Sequence, residues 1–242
     1  MMDFLTKNFS LINDIPLFIA ALTGVFLYKS YKSTIVKYFI WYLVYVFIVD
    51  FIGGYSGYFN KYEVFASFKA LLKDTVFEKN YWWYTIFWSI ANLVFIPFYF
   101  SKILKDKRHK DVIKYLSTLL LLMSFTTIIL DFEKFFIGTY PSIKISDAII
   151  VFVCVGLYFV ELLKSDKVLK FYKSIHFYIA AILFIWWLVT TSTVFFESYL
   201  NKNDFNYRKM RAFTFLFSNI FMYLSFALAL YFCKPQKNEY IS

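Results

Sequence analysis

The sequence predicts an all-α integral membrane protein, a seven-transmembrane helix bundle, and three observations carry that expectation. The 242 residues are 60% hydrophobic and 17% charged, with a mean hydropathy of +0.58, whereas soluble domains are about half apolar and about a quarter charged. Apolar runs long enough to cross a hydrocarbon core of ~30 Å recur seven times. The segments between them are short and hold most of the charge. With only 6 Gly and 4 Pro there is little linker, so residues 1–242 read as a single membrane domain.

The runs fall at 12–30, 34–54, 81–101, 112–131, 145–163, 174–196 and 211–232. The first follows "MMDFLTKNFSLINDIP", whose two acids and one lysine are unlike the basic start of a cleaved signal, so it reads as a retained span. The second is entered from "YKSYKS" and leaves through Asp50 and "GGYSG". The third opens on Tyr81, Trp82, Trp83 and Tyr84, an aromatic belt, and contains Pro97, where a kink is expected. The remaining four are bounded by "SKILKDKRHKD", "GTYPS", "LLKSDK" and "NKNDFNYRK". Between the second and third, Phe65, Phe68, Leu72 and Val76 recur at helical spacing opposite Glu63, Lys69 and Lys73. That pattern predicts a short amphipathic helix lying on the outer membrane face, with a lid over a ligand site as the alternative.

Charge gives the direction. The loops 29–37, 102–114 and 164–173 with the tail after Phe232 hold 15 Lys and Arg, the opposite side 11, and the 15 are packed into the shorter segments. The positive-inside rule then puts the N-terminus outside and the C-terminus in the cytoplasm, in the cytoplasmic (inner) membrane. The same rule accounts for the net charge of +10, which rests on lysine; Arg108, Arg208 and Arg211 are the only arginines. No nucleic-acid partner is expected from that balance.

Enzymatic chemistry is not expected either. Cys154 and Cys233 stand alone, and His109 and His176 lie on separate segments. They form no metal-ligand cluster, no nucleophile–base set and no cofactor site. The last run has no lysine for a retinal Schiff base. His176 reads as an inert interfacial residue, and Glu161 as an i,i+3 partner of Lys164.

A ligand site is the remaining chemistry. Asp50, Asp131, Asp147, Thr190 and Glu197 fall at the outer ends of the runs, and Asn92 and Asn219 lie deeper. Together they are expected to line an outward-opening polar cavity suited to a cation or small polar ligand. The plainer reading lets Asp50 reach headgroup water and uses the two amides as interhelical glue. Lys105, Lys107, Arg108, Lys110, Lys164 and Lys167, in the basic turns, are the candidate docking residues for a cytoplasmic partner.

Two echoes suggest a parallel 3+1+3 repeat. "IND" with the following "YKSYKSTIVKYF" (12–39) resembles "ISD" with "LKSDKVLKFY" (145–172), and "WSIANLVF" (88–95) resembles "FLFSNIFM" (215–222). The second echo sets Asn92 and Asn219 at matching points.

Several short motifs resemble a group of small seven-transmembrane proteins of Bacteroidetes. Asp50, Gly53 and Tyr55 match its acid-x-x-Gly-x-Tyr end to span two, and Asn80, Trp82 and Tyr84 its aromatic start to span three. Leu162, Leu163 and Ser165, followed by a basic turn and Phe177, match its exit from span five and entry to span six. Many members carry a glutamate in span three where Ser89 and Asn92 stand here, so a shared proton or cation role does not carry over. Members are often found near sensor histidine kinases, which implies a signalling partner of that kind. Two functions are therefore expected: a sensory protein coupling an outer-face event to a cytoplasmic partner, or a small polar-solute transporter of 3+1+3 layout. Oligomeric state is not legible.

Overall fold

The computed structural model describes residues 9–61, 63–196, 205–233 and 235. Among them are seven helices long and apolar enough to cross a bilayer: span 1 (Leu11–Tyr31), span 2 (Val36–Tyr58), span 3 (Tyr81–Ile103), span 4 (Lys107–Leu130), span 5 (Pro141–Leu163), span 6 (Ile175–Val194) and span 7 (Asn206–Phe232). No strand occurs among the described residues. The chain is a multi-pass, all-α membrane protein.

Spans 4, 5 and 7 begin earlier than hydropathy places them. Asp106 caps span 4, its carboxylate accepting the Arg108 N–H at 2.8 Å, and Pro141 occupies the first turn of span 5. Both are helix-start chemistry that an apolarity count ignores. Polar opening turns remain helical because their long side chains reach water at the membrane surface.

The spans pack as a ring. Span 1 lies against 2, 2 against 3, 3 against 5, 5 against 6, 6 against 7, and 7 closes on 1, while span 4 stands outside against 3 and 5. Exchanging spans 1, 2 and 3 for 5, 6 and 7 reproduces the same neighbours, which is the adjacency a parallel 3+1+3 repeat requires. Span 4 accordingly exposes Leu119, Leu122, Met123 and Ile129 on its outward side.

Span 3 is not a uniform helix. Tyr81–Tyr84 is α-helical, Thr85–Ile90 winds as a π-helix, and Ala91–Ile103, with Pro97 inside it, is α-helical again. The Phe87 carbonyl in the wide segment accepts the Tyr45 hydroxyl at 2.7 Å. Spans 2 and 3 are joined further out by Trp83 Nε1 donating to the Val49 carbonyl at 2.9 Å and by Asn80 Nδ2 donating to the Gly53 carbonyl at 2.6 Å. The helices approach so closely there that a Cβ at Gly53 would stand 2.7 Å from the Trp83 ring.

The amphipathic segment of the long loop forms a 3-10 turn, Glu63–Phe65, and a helix, Ala66–Leu72. Val76 lies beyond its end, so the helix is shorter than the apolar spacing suggested. Phe68 and Leu71 are exposed on it.

At the lysine-rich end, which carries the 29–37, 102–114 and 164–173 loops, the bundle is closed by rings. Phe39 meets Phe226 at 4.9 Å and Tyr99 at 5.9 Å between centroids. Phe39, Tyr99 and Phe100 are at most 1% exposed. Tyr31 crosses from span 1 to donate to the Leu230 carbonyl at 3.0 Å and also to that of Cys233. His176 is buried here, its Nδ1 2.8 Å from the Tyr99 hydroxyl, so it links spans 3 and 6 and does not idle at the interface.

Candidate functional site

Opposite the lysine-rich end, the inner faces of the ring become polar. Asp147, on span 5, is 1% exposed, and its Oδ1 has no hydrogen-bond partner. Ser89, in the π-helical segment, is its hydrogen-bonding neighbour, and Lys144, one turn outward, supplies the positive charge that acts on it. Thr191 Oγ1 is the other buried side-chain oxygen without a partner among the described residues. An uncompensated carboxylate oxygen in a lipid-embedded core costs several kcal/mol, roughly, and marks a place where something else belongs.

Two further acids stand near. Asp50, half-buried, has the Tyr84 hydroxyl as its hydrogen-bonding neighbour and feels the charge of Asp14 on span 1. Tyr42 lies within electrostatic reach of both Asp147 and Asp50, and Tyr223, on span 7, within reach of Asp50, Asp14, Tyr42 and Tyr84. Three carboxyl groups and three phenols thus share one region, and Lys144 acts on the Asp147 member of it.

The deep amides belong to the same region. Asn92 is buried and accepts the Tyr42 hydroxyl on Oδ1. Asn219 Oδ1 accepts Trp186 Nε1 at 2.8 Å, and its Nδ2 donates to Asn13 Oδ1 at 2.8 Å. Asn13 in turn donates to Asp14 at 3.3 Å. The two amides are held alike: Asn92 on span 3 accepts from Tyr42 of span 2, and Asn219 on span 7 accepts from Trp186 of span 6.

Two cavities lie against the neighbours of Asp147: Tyr42 lines one, Ser89 and Lys144 the other. The inner one, about 20 Å³, takes three lining residues from each of spans 2, 3, 6 and 7, among them Tyr42, Asn92, Trp186 and Tyr223. It has room for one water or a bare ion. The outer one, about 260 Å³, opens between spans 3 and 5 and is walled by Tyr81, Tyr84, Trp88, Ser89, Tyr140 and Lys144. Trp88 lines both cavities, so its ring stands between them.

The remaining candidates lie elsewhere. Asp131 is exposed at the end of span 4, paired with Lys134 at 3.8 Å. It reaches the outer cavity only through Tyr140, whose hydroxyl donates to the Asp131 carbonyl at 2.6 Å. Burial, and then the Asp131 charge, raises the Tyr140 phenol above its ordinary value. Thr190 is buried, but its hydroxyl is committed to the Trp186 carbonyl of its own helix at 2.8 Å. Glu197 lies outside the described residues. Asn13, Asp14, Tyr42 and Tyr223 were not singled out by the sequence, and Tyr84 stood out only as part of an aromatic belt and motif. The one available signal was the "IND"/"ISD" echo, which pairs Asp14 with Asp147.

The basic turns also have a fixed geometry. Glu161, near the end of span 5, does not pair along its helix with Lys164. Its oxygens accept the backbone N–H groups of Lys105 at 2.8 Å and Asp106 at 3.0 Å and meet His109 Nδ1 at 2.8 Å. Backbone donors at a helix start are short of partners, and they outcompete a mobile ammonium one turn away. Lys105, Lys107, Arg108 and Lys164 are exposed around this clamp, and Lys110 partly so. Nothing is described of the Lys167 side chain.

No family model, curated protein or solved structure matches the chain.

Proposed function

We propose that the protein is a sensory membrane protein that binds a small cation in the acidic half of its bundle and relays occupancy to a partner at the lysine-rich end. The observation that carries this reading is Asp147: a buried carboxylate with an open oxygen. Its neighbours Ser89 and Lys144 line a cavity of small-metabolite size, and its electrostatic neighbour Tyr42 lines the small core cavity. Aromatic walls and excess carboxylate suit a monovalent ion or a small organic ammonium. Below the site the core is sealed by Phe39, Tyr99 and Phe226, which favours reception over passage.

Span 5 supplies the relay. Asp147 and Glu161 are 14 residues apart on it, about 21 Å, and on nearly the same face. One end grips span 3 through Ser89, and the other grips the turn from span 3 into span 4 through the Lys105–Asp106 backbone. A small shift of span 5 on cation binding therefore reaches the "KILKDKRHK" turn directly. A histidine kinase is the expected type of partner.

The test is partner capture from the native membrane in sodium, ammonium or choline chloride against N-methylglucamine chloride. Cation-dependent recovery of a signalling protein supports the reading. Unchanged recovery together with time-dependent choline or sodium uptake by reconstituted vesicles overturns it. Uptake is the outcome favoured by the second reading, a small-solute carrier, for which the order of neighbouring spans and the alike-held Asn92 and Asn219 speak. The inner-membrane, N-out orientation is checked separately: a reporter fused after Phe232 is expected to read cytoplasmic, and its export would reverse the relay.

A further inference from the structure

Spans 6 and 7 part toward the lysine-rich end and leave a groove of about 1030 Å³. Its walls are apolar and open to the lipid, with Ile185 of span 6 and Phe221 and Leu228 of span 7 exposed along it. From Phe177 to Ile185 it runs about 12 Å along the helix, against about 15 Å for half a hydrocarbon core. At its mouth lie Lys170 and Lys173, both exposed, in the 3-10 segment Asp166–Lys173. No acid lines it among the described residues. The mouth is also held in place: the Lys173 ammonium lies 5.7 Å from the Tyr172 ring centroid, and the Tyr172 carbonyl accepts the Tyr178 hydroxyl of span 6 at 3.1 Å.

A leaflet-deep apolar slot with two cations at the headgroup level matches one kind of molecule. We infer that this groove binds an anionic phospholipid, with an acyl chain along spans 6 and 7 and the phosphate against Lys170 and Lys173. A second copy of this chain docked by a two-fold axis would bring its own two lysines to the same mouth, and like charges would oppose it. A neutral lipid fills the slot equally well but leaves the lysines without a counter-charge. This site is independent of the cation-sensing proposal.

The experiment is native mass spectrometry of the full-length protein with phosphatidylglycerol and phosphatidylcholine of identical chains. Phosphatidylglycerol is expected to be retained preferentially. K170Q/K173Q, at exposed positions that leave the core untouched, is expected to reduce that preference roughly thirtyfold, about fivefold per lysine. Ser225→Phe, and Leu228→Trp at an exposed wall position, fill the slot and are expected to abolish retention of either lipid. Glycerophosphoglycerol, the headgroup without chains, is expected not to displace the lipid. Equal retention of the two lipids, full preference in both slot-filling variants, or displacement by the chainless headgroup would each overturn the assignment.

Discussion

An Asp147→Asn protein is expected to need about a hundredfold more sodium or choline than the parent for the same half-maximal rise in melting temperature. The substitution keeps the volume and can still meet Ser89, so the fold should survive. It removes the charge and can turn an N–H toward the place where the parent offers an unfilled carboxylate oxygen. Hydrogen bonds to charged groups contribute about 1.5–3 kcal/mol, and loss of the Coulomb attraction adds to that, so a factor of about 100, near 2.7 kcal/mol, is the expected size. Asp131→Asn is the control, because Asp131 is exposed and paired with Lys134 away from the cluster. Equal cation response in the parent and in Asp147→Asn would sink the site. An equal loss in Asp131→Asn would point to surface charge instead.

The Glu161→Ala protein is expected to melt roughly 5–10 °C lower, to bind cations as the parent does, and to lose cation-dependent partner recovery. Three contacts disappear together: the N–H groups of Lys105 and Asp106, and His109. The Glu161 side chain is 18% exposed, so water replaces part of what is lost, and about 2–4 kcal/mol is a reasonable loss for three bonds to one carboxylate. Glu161→Gln keeps one acceptor oxygen and should fall between. If the alanine variant melts with the parent and still recovers the partner, span 5 is not the relay.

These two residues illustrate what a sequence exposes. Asp147 stands out because a carboxylate in an apolar run has no local excuse, and the same contrast marks Asp50, Asn92 and Asn219. The phenols that complete the cluster have no such contrast. In a chain that is 25% aromatic, Tyr42 and Tyr223 look like packing until their hydroxyls are placed. Glu161 fails differently: Lys164 is its visible neighbour, but its real partners are backbone groups 55 and 56 residues away. Backbone N–H carries no letter in the sequence. The seven crossings were legible because hydropathy is summed over many residues, whereas the starts of spans 4, 5 and 7 depend on single capping residues such as Asp106.

The π-wound stretch of span 3 bears on how this architecture can change. One surplus residue in a turn swings everything beyond it by about 100° of azimuth relative to a regular helix. That offset is what presents Trp83 and Tyr84 to span 2, where Gly53 leaves space for their rings. Excising a single residue between Thr85 and Ile90 would restore regular winding and rotate that aromatic row away toward the acyl chains. The chain would still traverse the bilayer the same number of times, but its carboxylates would have lost one wall. Specificity in this molecule therefore resides partly in a count of residues, and an indel there retunes it more sharply than most side-chain exchanges.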